Sequence, residues 1–325
     1  MPSYDDVPGQ CVAYNYSAFG DEFIYSSAVE FAVSPHYDGV SRIGFPAGNL
    51  DVLLSNTQYL NDSDDIKVLV CLGGAISKRK EMVGPFFSGR GLSAKLEIPL
   101  ISFSDPTLKL NNDIQIGWYT GHKGRLNVAS EIASVLNCFA DRYNCKFLFV
   151  GGSAGGFGIM NALRGVVRPS VAIIWNPQTA IWRYWPSHVN AYLKAAFSLS
   201  EAPVDRDDAR VLLDRKGVHA EVRSKDIANH MVLYCQNRQD KHVDNHMKPF
   251  LSTGTFFRSG KDWYKAAGGR CLIWLGRWGR GHAPLPSNLT IALASIWKAG
   301  GGLAEMRSYL SEAMPPPVSP NSNSE

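Results

Sequence analysis

The sequence lacks both a strong excess of charge and a long apolar run. Its 33 lysines and arginines nearly balance 29 aspartates and glutamates, and a net charge of +4 predicts no surface for nucleic acid. No stretch reaches about 18 uninterrupted apolar residues, so we expect no membrane span. The opening residues, MPSYDDVPGQ, lack the basic start and apolar core of a secretion signal. These absences predict a cytoplasmic protein that has neither nucleic acid nor membrane as a partner.

Metal-type cysteine spacing is also absent. The six cysteines are scattered without a C-x-x-C pattern, and several lie inside apolar runs, where a reduced thiol packs as a small hydrophobic group. We therefore expect core thiols and no metal site. Hydrophobic residues make up 45% of the chain and charged residues 19%, which excludes disorder, coiled coils and collagen-like repeats. The mild departure is glycine, with 30 residues concentrated beside apolar runs.

From residue 67 onward, apolar runs alternate with polar turns and helical stretches, which is typical of a mainly parallel α/β sheet. A helix is predicted at 126–143. Strands are predicted at 66–72, 98–103, 146–150, 170–175, 231–235 and 271–275.

The remaining segments complete the predicted organisation. Residues 1–65 are expected to be a strand-rich leader whose antiparallel strands, at 22–33 and 50–54, extend one edge of the sheet. Residues 180–230 are expected to be a helical cap insertion above the carboxyl ends of the strands. Residues 315–325, PPPVSPNSNSE, have the composition of a disordered tail. A single α/β domain over residues 1–314 follows.

The sequence GGSAG at 151–155 fits the pattern G-x-S-x-G. An apolar strand precedes it and a helix-forming segment follows, which is the strand–turn–helix context of a nucleophile elbow. So tight a turn has no room for side chains two positions before and after the serine. Ser153 is then expected above the sheet, at the amino end of a helix whose dipole favours a developing negative charge. The alternative is a glycine-rich turn that binds a phosphate or only packs tightly.

A serine nucleophile needs a base and an acid that orients the base, here in the chain order Ser, Asp or Glu, His. Asp240 lies five residues beyond the strand at 231–235, with Asp244 as second choice. His282 follows the strand at 271–275, and no other histidine lies beyond residue 246. We therefore predict a triad of Ser153, Asp240 and His282.

An oxyanion hole needs two backbone N–H groups that point at the tetrahedral oxygen. Ala154, the residue after the nucleophile, is predicted to supply one of them. The loop after the strand at 66–72 is predicted to supply the other, from Gly74 or Ala75, although an ordinary strand-to-loop turn is the alternative there.

These features resemble the α/β-hydrolase fold over roughly residues 67–298. The motifs that carry the resemblance are GGSAGG, LGGA, QNRQD and GHAP. Many lipases and esterases of that family have His-Gly-Gly where this chain has Leu72-Gly73-Gly74, which leaves the oxyanion donors open. More narrowly, SAGGF, WNPQT, SDPT and GWYTG are similar to bacterial hydrolases of surface-polysaccharide gene clusters, and this resemblance implies a carbohydrate ester substrate.

Three further side chains are candidates for substrate binding. Trp118 and Tyr119 would suit the wall of a sugar-stacking or acyl pocket, and the alternative is that they fill the core. Arg277, shortly before His282, would suit a substrate carboxylate or phosphate, or be a solvated loop charge.

The predicted function is a serine hydrolase that cleaves a carboxylic ester, of a small molecule or a carbohydrate, through an acyl-enzyme. This chemistry requires no metal or organic cofactor. The same machinery serves an O-acyltransferase acting on a polysaccharide, and the sequence does not separate the two. An alternative from another class is a non-catalytic binding protein of the same fold. The sequence does not indicate the oligomeric state.

Overall fold

The structure is a computed structural model that describes residues 12–60, 65–201, 203 and 205–314. The predicted tail at 315–325 lies outside the described residues. The strands are β1 Asp21–Tyr25, β2 Gly39–Phe45, β3 Gly48–Ser55, β4 Lys67–Leu72, β5 Leu100–Phe103, β6 Gly121–His122, β7 Arg125–Leu126, β8 Lys146–Gly152, β9 Val171–Trp175, β10 Met231–Asn237, β11 Phe256–Arg258, β12 Trp263–Ala266 and β13 Cys271–Gly276. The α-helices are α1 Ala28–Val33, α2 Arg90–Leu96, α3 Val128–Tyr143, α4 Ala154–Ala162, α5 Pro186–Phe197, α6 Arg206–Arg215, α7 Lys248–Leu251, α8 Ser287–Lys298 and α9 Leu303–Ala313.

One sheet contains eleven of these strands, in the order β1-β2-β3-β5-β4-β8-β9-β10-β13-β12-β11. The six strands from β5 to β13 in this order are parallel to one another. All six strands and α3 were predicted from apolar runs and helical periodicity. The sheet is therefore the predicted mainly parallel α/β sheet.

Alternate residues of the central strands face two apolar layers. In β4, Val68 and Val70 belong to one buried cluster and Leu69 to the other. Residues of α3 and α4 join the first cluster, whereas residues of α2, α8 and α9 join the second. Helices thus cover both faces, which explains why these strands read as nearly continuous apolar runs.

The amino-terminal edge matches the prediction only in part. The pairs β2–β3 and β3–β5 are antiparallel as expected, but β1 pairs parallel to β2. The strand predicted at 22–33 was wrong in its second half, because the strand ends at Tyr25 and α1 follows. Ser27 caps this helix by accepting a hydrogen bond from the Glu30 N–H, and β2 was not foreseen. At the other edge, the antiparallel strands β11 and β12 were also not predicted.

The stretch between β9 and β10 is helical, as predicted, and contains α5 and α6. Its first residues reach the carboxyl ends of the parallel strands, where Tyr184 and His188 line a cavity together with Ser153. The five cysteines among the described residues are free thiols. Within the described ranges, no helix combines the length and apolarity needed to cross a membrane.

The carboxyl end of β4 and the start of α4 are in unusually close contact. A Cβ atom added to Gly155 would lie 2.2 Å from the carbonyl oxygen of Leu72, and one added to Gly151 would lie 2.9 Å from the same oxygen. Gly151 and Gly155 lie two positions before and two positions after Ser153, where the sequence predicted no room for side chains. The closeness of helix and strand therefore depends on the absence of both side chains.

We expect Gly155→Ala to lower the free energy of unfolding by about 1–3 kcal/mol, because the added methyl group collides with backbone. The matched control is Gly91→Ala in α2, where no atom lies within 4 Å of the added carbon. That control is expected to be neutral or to stabilise by about 0.4–1 kcal/mol. Urea unfolding of both variants measures the difference, and equal stability of the two variants would contradict the crowding.

Candidate active site

Ser153 lies on the turn between β8 and α4, with φ 56° and ψ −123°. A residue other than glycine in this region of positive φ is strained by about 1–3 kcal/mol, and such strain is concentrated at functional sites. The serine is partly exposed and lines a cavity at the carboxyl ends of the strands. The predicted strand–turn–helix context is therefore present.

A buried glutamine that the sequence did not single out holds the serine hydroxyl. Gln178 Nε2 donates a hydrogen bond of 2.9 Å to Ser153 Oγ, and Trp118 Nε1 donates one of 3.2 Å to Gln178 Oε1. Gln178 and Trp118 are both fully buried. Since Ser153 Oγ accepts from the amide, its own proton remains free for a base.

Asp240 and His282 are hydrogen-bonded, with 2.6 Å between Asp240 Oδ2 and His282 Nδ1. Because the carboxylate only accepts, Nδ1 carries the proton and Nε2 is left as the basic nitrogen. Burial opposes ionisation of Asp240, but the hydrogen bond from His282 and the nearby His242 lower its pKa below the usual value. Asp240 is therefore a carboxylate that fixes the orientation and tautomer of the His282 ring.

Two buried asparagines hold the loop that carries His282. Asn237 Nδ2 donates to the carbonyl oxygens of Gly279, at 3.0 Å, and Gly281, at 2.8 Å. Asn176 Nδ2 donates to the carbonyl oxygen of Ala283 at 2.8 Å, and Asn176 Oδ1 accepts from the Asn237 N–H at 2.7 Å. The two side chains thus connect the ends of β9 and β10 to both sides of His282.

Ser153 and His282 line one cavity of about 900 Å³, which we call the serine cavity. Among the described residues no hydrogen bond joins their side chains, and such contacts are often long until a substrate is bound. The cavity wall includes Leu72, Gly74, Ala75, Val150, Tyr184, His188, Leu285 and Ile291.

A second cavity, of about 450 Å³, touches the first at Tyr184 and His282, and we call it the cap cavity. Its wall includes Arg183, Trp185, Arg206, Asp240, Lys241, His242 and His246. His282 therefore belongs to the walls of both cavities.

The backbone donors predicted for an oxyanion hole lie beside Ser153. A Cβ atom on Gly74 would be 3.7 Å from the Cβ of Ser153, and Ala75 lines the same cavity. The N–H of Gly73 is occupied, since it donates to Tyr119 Oη at 2.7 Å. In the described structure the N–H groups of Gly74, Ala75 and Ala154 have no hydrogen-bond partner.

The remaining sequence candidates lie elsewhere. Trp118 is fully buried and Tyr119 is 2% exposed, so their interpretation as a substrate wall was wrong. Both residues have positive φ, and Asp105 Oδ2 accepts the Tyr119 N–H at 2.8 Å, which turns the two rings into the core. Arg277 is exposed and outside the cavity wall, and Asp244 pairs with Lys248.

Asp240, His242 and His282 also offer three potential metal ligands within 4.8 Å of one another. Their present partners compete with such a role, because His282 Nδ1 is bonded to Asp240 and His242 Nδ1 donates to the carbonyl oxygen of Asn176 at 2.9 Å. The donor set thus fits a hydrogen-bonded acid–base pair better than a metal centre.

No protein-family model and no curated protein matches the sequence. Solved structures do match. The capsule O-acetyltransferase of Neisseria meningitidis serogroup A is 11% identical over 87% of this chain and 97% of its own, with a TM-score of 0.51. A fluorophosphonate-binding serine hydrolase of Staphylococcus aureus is 17% identical over 81% of this chain and 98% of its own, with a TM-score of 0.47. At such identities the likeness concerns the fold alone. The chain has the α/β-hydrolase fold, as the sequence resemblance implied.

The buried histidine beside the Asp240–His282 pair makes stability depend on pH. Burial lowers the pKa of His242 to about 4. An unfolded histidine titrates near about pH 6.5, so the unfolded chain binds more protons between these values, and stability is lost as the pH falls through that window. We expect the unfolding free energy of His242→Gln, measured by urea titration from about pH 7 to about pH 4.5, to fall less steeply than that of the wild type.

His36 provides a matched comparison outside the site, because burial also lowers its pKa to about 4. His36→Gln is expected to reduce the pH slope in the same direction. An unchanged slope in His242→Gln would show that His242 is not held neutral in the fold.

Proposed function

We propose that this protein is a serine acyl hydrolase that cleaves a carboxylic ester through an acyl-enzyme on Ser153. One observation carries the proposal. Ser153, on its strained turn, lines the same cavity as His282, and His282 forms a 2.6 Å hydrogen bond with Asp240. A binding protein of this fold would not need these three groups to converge.

In the proposed first step, Ser153 Oγ attacks the acyl carbon and its proton passes to His282 Nε2. The new C–O bond produces a tetrahedral intermediate whose oxyanion accepts hydrogen bonds from Ala154 N–H and from Gly74 or Ala75. Collapse breaks the bond to the alcohol oxygen, which takes the proton from Nε2. Water then repeats the sequence, releases the acid and restores the serine.

Asp240 and Gln178 are positioning residues in this scheme. Asp240 keeps the proton on His282 Nδ1 and stabilises the imidazolium that forms. Gln178 Nε2, at 2.9 Å from Ser153 Oγ, holds the hydroxyl in place.

An O-acyltransferase is the second candidate. The observation that favours it is the cap cavity, which adjoins His282 and gives an acceptor alcohol a place from which to attack in place of water. The resemblance to hydrolases of polysaccharide gene clusters, and the fold shared with a capsule O-acetyltransferase, support a carbohydrate as the alcohol half.

A fluorophosphonate probe tests the nucleophile. We expect labelling of the wild type, none of Ser153→Ala, and a loss of rate of about 10⁴-fold in Asp240→Asn or His282→Ala. Ser77 also lines the serine cavity, so Ser77→Ala is the matched control and should label like the wild type. A folded wild-type protein that remains unlabelled would exclude the catalytic proposal.

Gln178→Met keeps the side-chain volume but removes both polar atoms. We expect the labelling rate to fall about tenfold, because one hydrogen bond that positions the Ser153 hydroxyl is lost. Trp118→Phe, which removes the donor to Gln178 and leaves some empty space in the core, should give a smaller loss of rate. If both variants labelled at the wild-type rate, Gln178 would be a structural residue only.

A further inference from the structure

The cap cavity is rich in positive charge. Arg183, Arg206 and Lys241 all line it, and none of them forms an ion pair with a described residue. Lys241 Nζ lies over the ring of Trp185, 5.1 Å from its centroid. Asp240 is the one acidic residue among the described residues of the wall, and its carboxylate accepts hydrogen bonds from His282 and from the backbone N–H of His242 at 2.9 Å. The described wall therefore has three cationic side chains and one carboxylate.

Two buried donors of this wall lack acceptors. Arg183 Nε is buried and has no hydrogen-bond partner in the described structure. His246 is 0% exposed, and its Nδ1 accepts the Thr179 N–H at 3.2 Å, so its proton must be on Nε2. That Nε2 is also without a partner among the described residues. A buried donor without an acceptor costs about 1–3 kcal/mol, and both of these atoms lie beneath the surface of the wall.

His246 remains a neutral donor in this surrounding. Burial lowers its pKa well below the usual value, and the positive charges of Arg183 and Arg206 lower it further. The wall of the cap cavity therefore contains a neutral buried histidine and three cationic side chains, and the cations suit the oxygens of a carboxylate or phosphate.

The position of the cavity decides which half of the ester it faces. His282 gives its proton to the alcohol oxygen in the proposed reaction, so the alcohol half must lie against the imidazole. The cap cavity includes His282 but not Ser153, whereas the serine cavity includes both. The acyl half belongs in the serine cavity and the alcohol half extends into the cap cavity.

We propose that the cap cavity binds an anionic group, a carboxylate or a phosphate, carried by the alcohol half of the ester. The alcohol is the leaving group if the protein hydrolyses the ester and the acceptor if it transfers the acyl group. The assignment to the alcohol half rests on the proposed function. The anion site itself does not depend on that function.

Calorimetric titration tests the anion site without catalysis. The probes are phenyl phosphate and benzoate, with benzamide as the neutral analogue. We expect both anions to bind more tightly than benzamide, and Arg183→Gln and Arg206→Gln each to weaken them about tenfold, the loss of one charge-assisted hydrogen bond. Tighter binding of phenyl phosphate identifies the group as a phosphate, and tighter binding of benzoate identifies it as a carboxylate.

Arg215→Gln is the matched control, because Arg215 is exposed at the end of the helix that begins with Arg206 and lies outside the cap cavity. It should bind the anions like the wild type. Equal binding of benzamide and the anions, or equal weakening in all three variants, would overturn the proposed anion site.

Acetate release from 4-acetoxybenzoate and from its neutral methyl ester tests the assignment to the alcohol half. The wild type should prefer the anionic ester through KM, Arg183→Gln should lose that preference, and Arg215→Gln should keep it. Cleavage of both esters without preference overturns this inference and leaves the hydrolase intact. A protein that neither labels with fluorophosphonate nor releases acetate overturns the proposed function, and calorimetry alone then decides the anion site.

Discussion

The site depends on how closely the start of α4 packs against the end of β4. A Cβ atom at Gly155 would lie 2.2 Å from the Leu72 carbonyl oxygen, so only glycine allows this approach. The same approach forces Ser153 into its strained turn and brings it beside Gly74. This one packing contact therefore holds the Ser153 hydroxyl at the turn and places Gly74 next to it.

Buried side-chain amides also fix the conformation of the site. Asn176 and Asn237 hold the loop around His282 through carbonyl oxygens, and Gln178 holds the hydroxyl of Ser153. Because buried amides are costly unless they are hydrogen-bonded, each of them specifies one arrangement of its loop. Neutral amides thus hold Ser153 and the loop around His282, whereas the Asp240 carboxylate orients the imidazole itself.

Local patterns predicted the central sheet and the turn at Ser153, because buried parallel strands and a crowded strand-to-helix turn leave their signature in adjacent residues. Asp240 and His282 were predicted from their positions after strands, and the structure brings the two side chains into contact. The sequence did not reveal the burial of Trp118 or the role of Gln178, because both depend on contacts between distant segments. The helix α1 was missed because its apolar residues resemble a strand and its Ser27 cap was not recognised.

The most direct test of the account is the site of the covalent intermediate. The protein is mixed with 4-nitrophenyl acetate, quenched in acid within the first seconds, digested and analysed by peptide mass spectrometry. The account predicts an acetyl group on Ser153. Release of nitrophenol with the acetyl group on another residue, or with none on the protein, would contradict it.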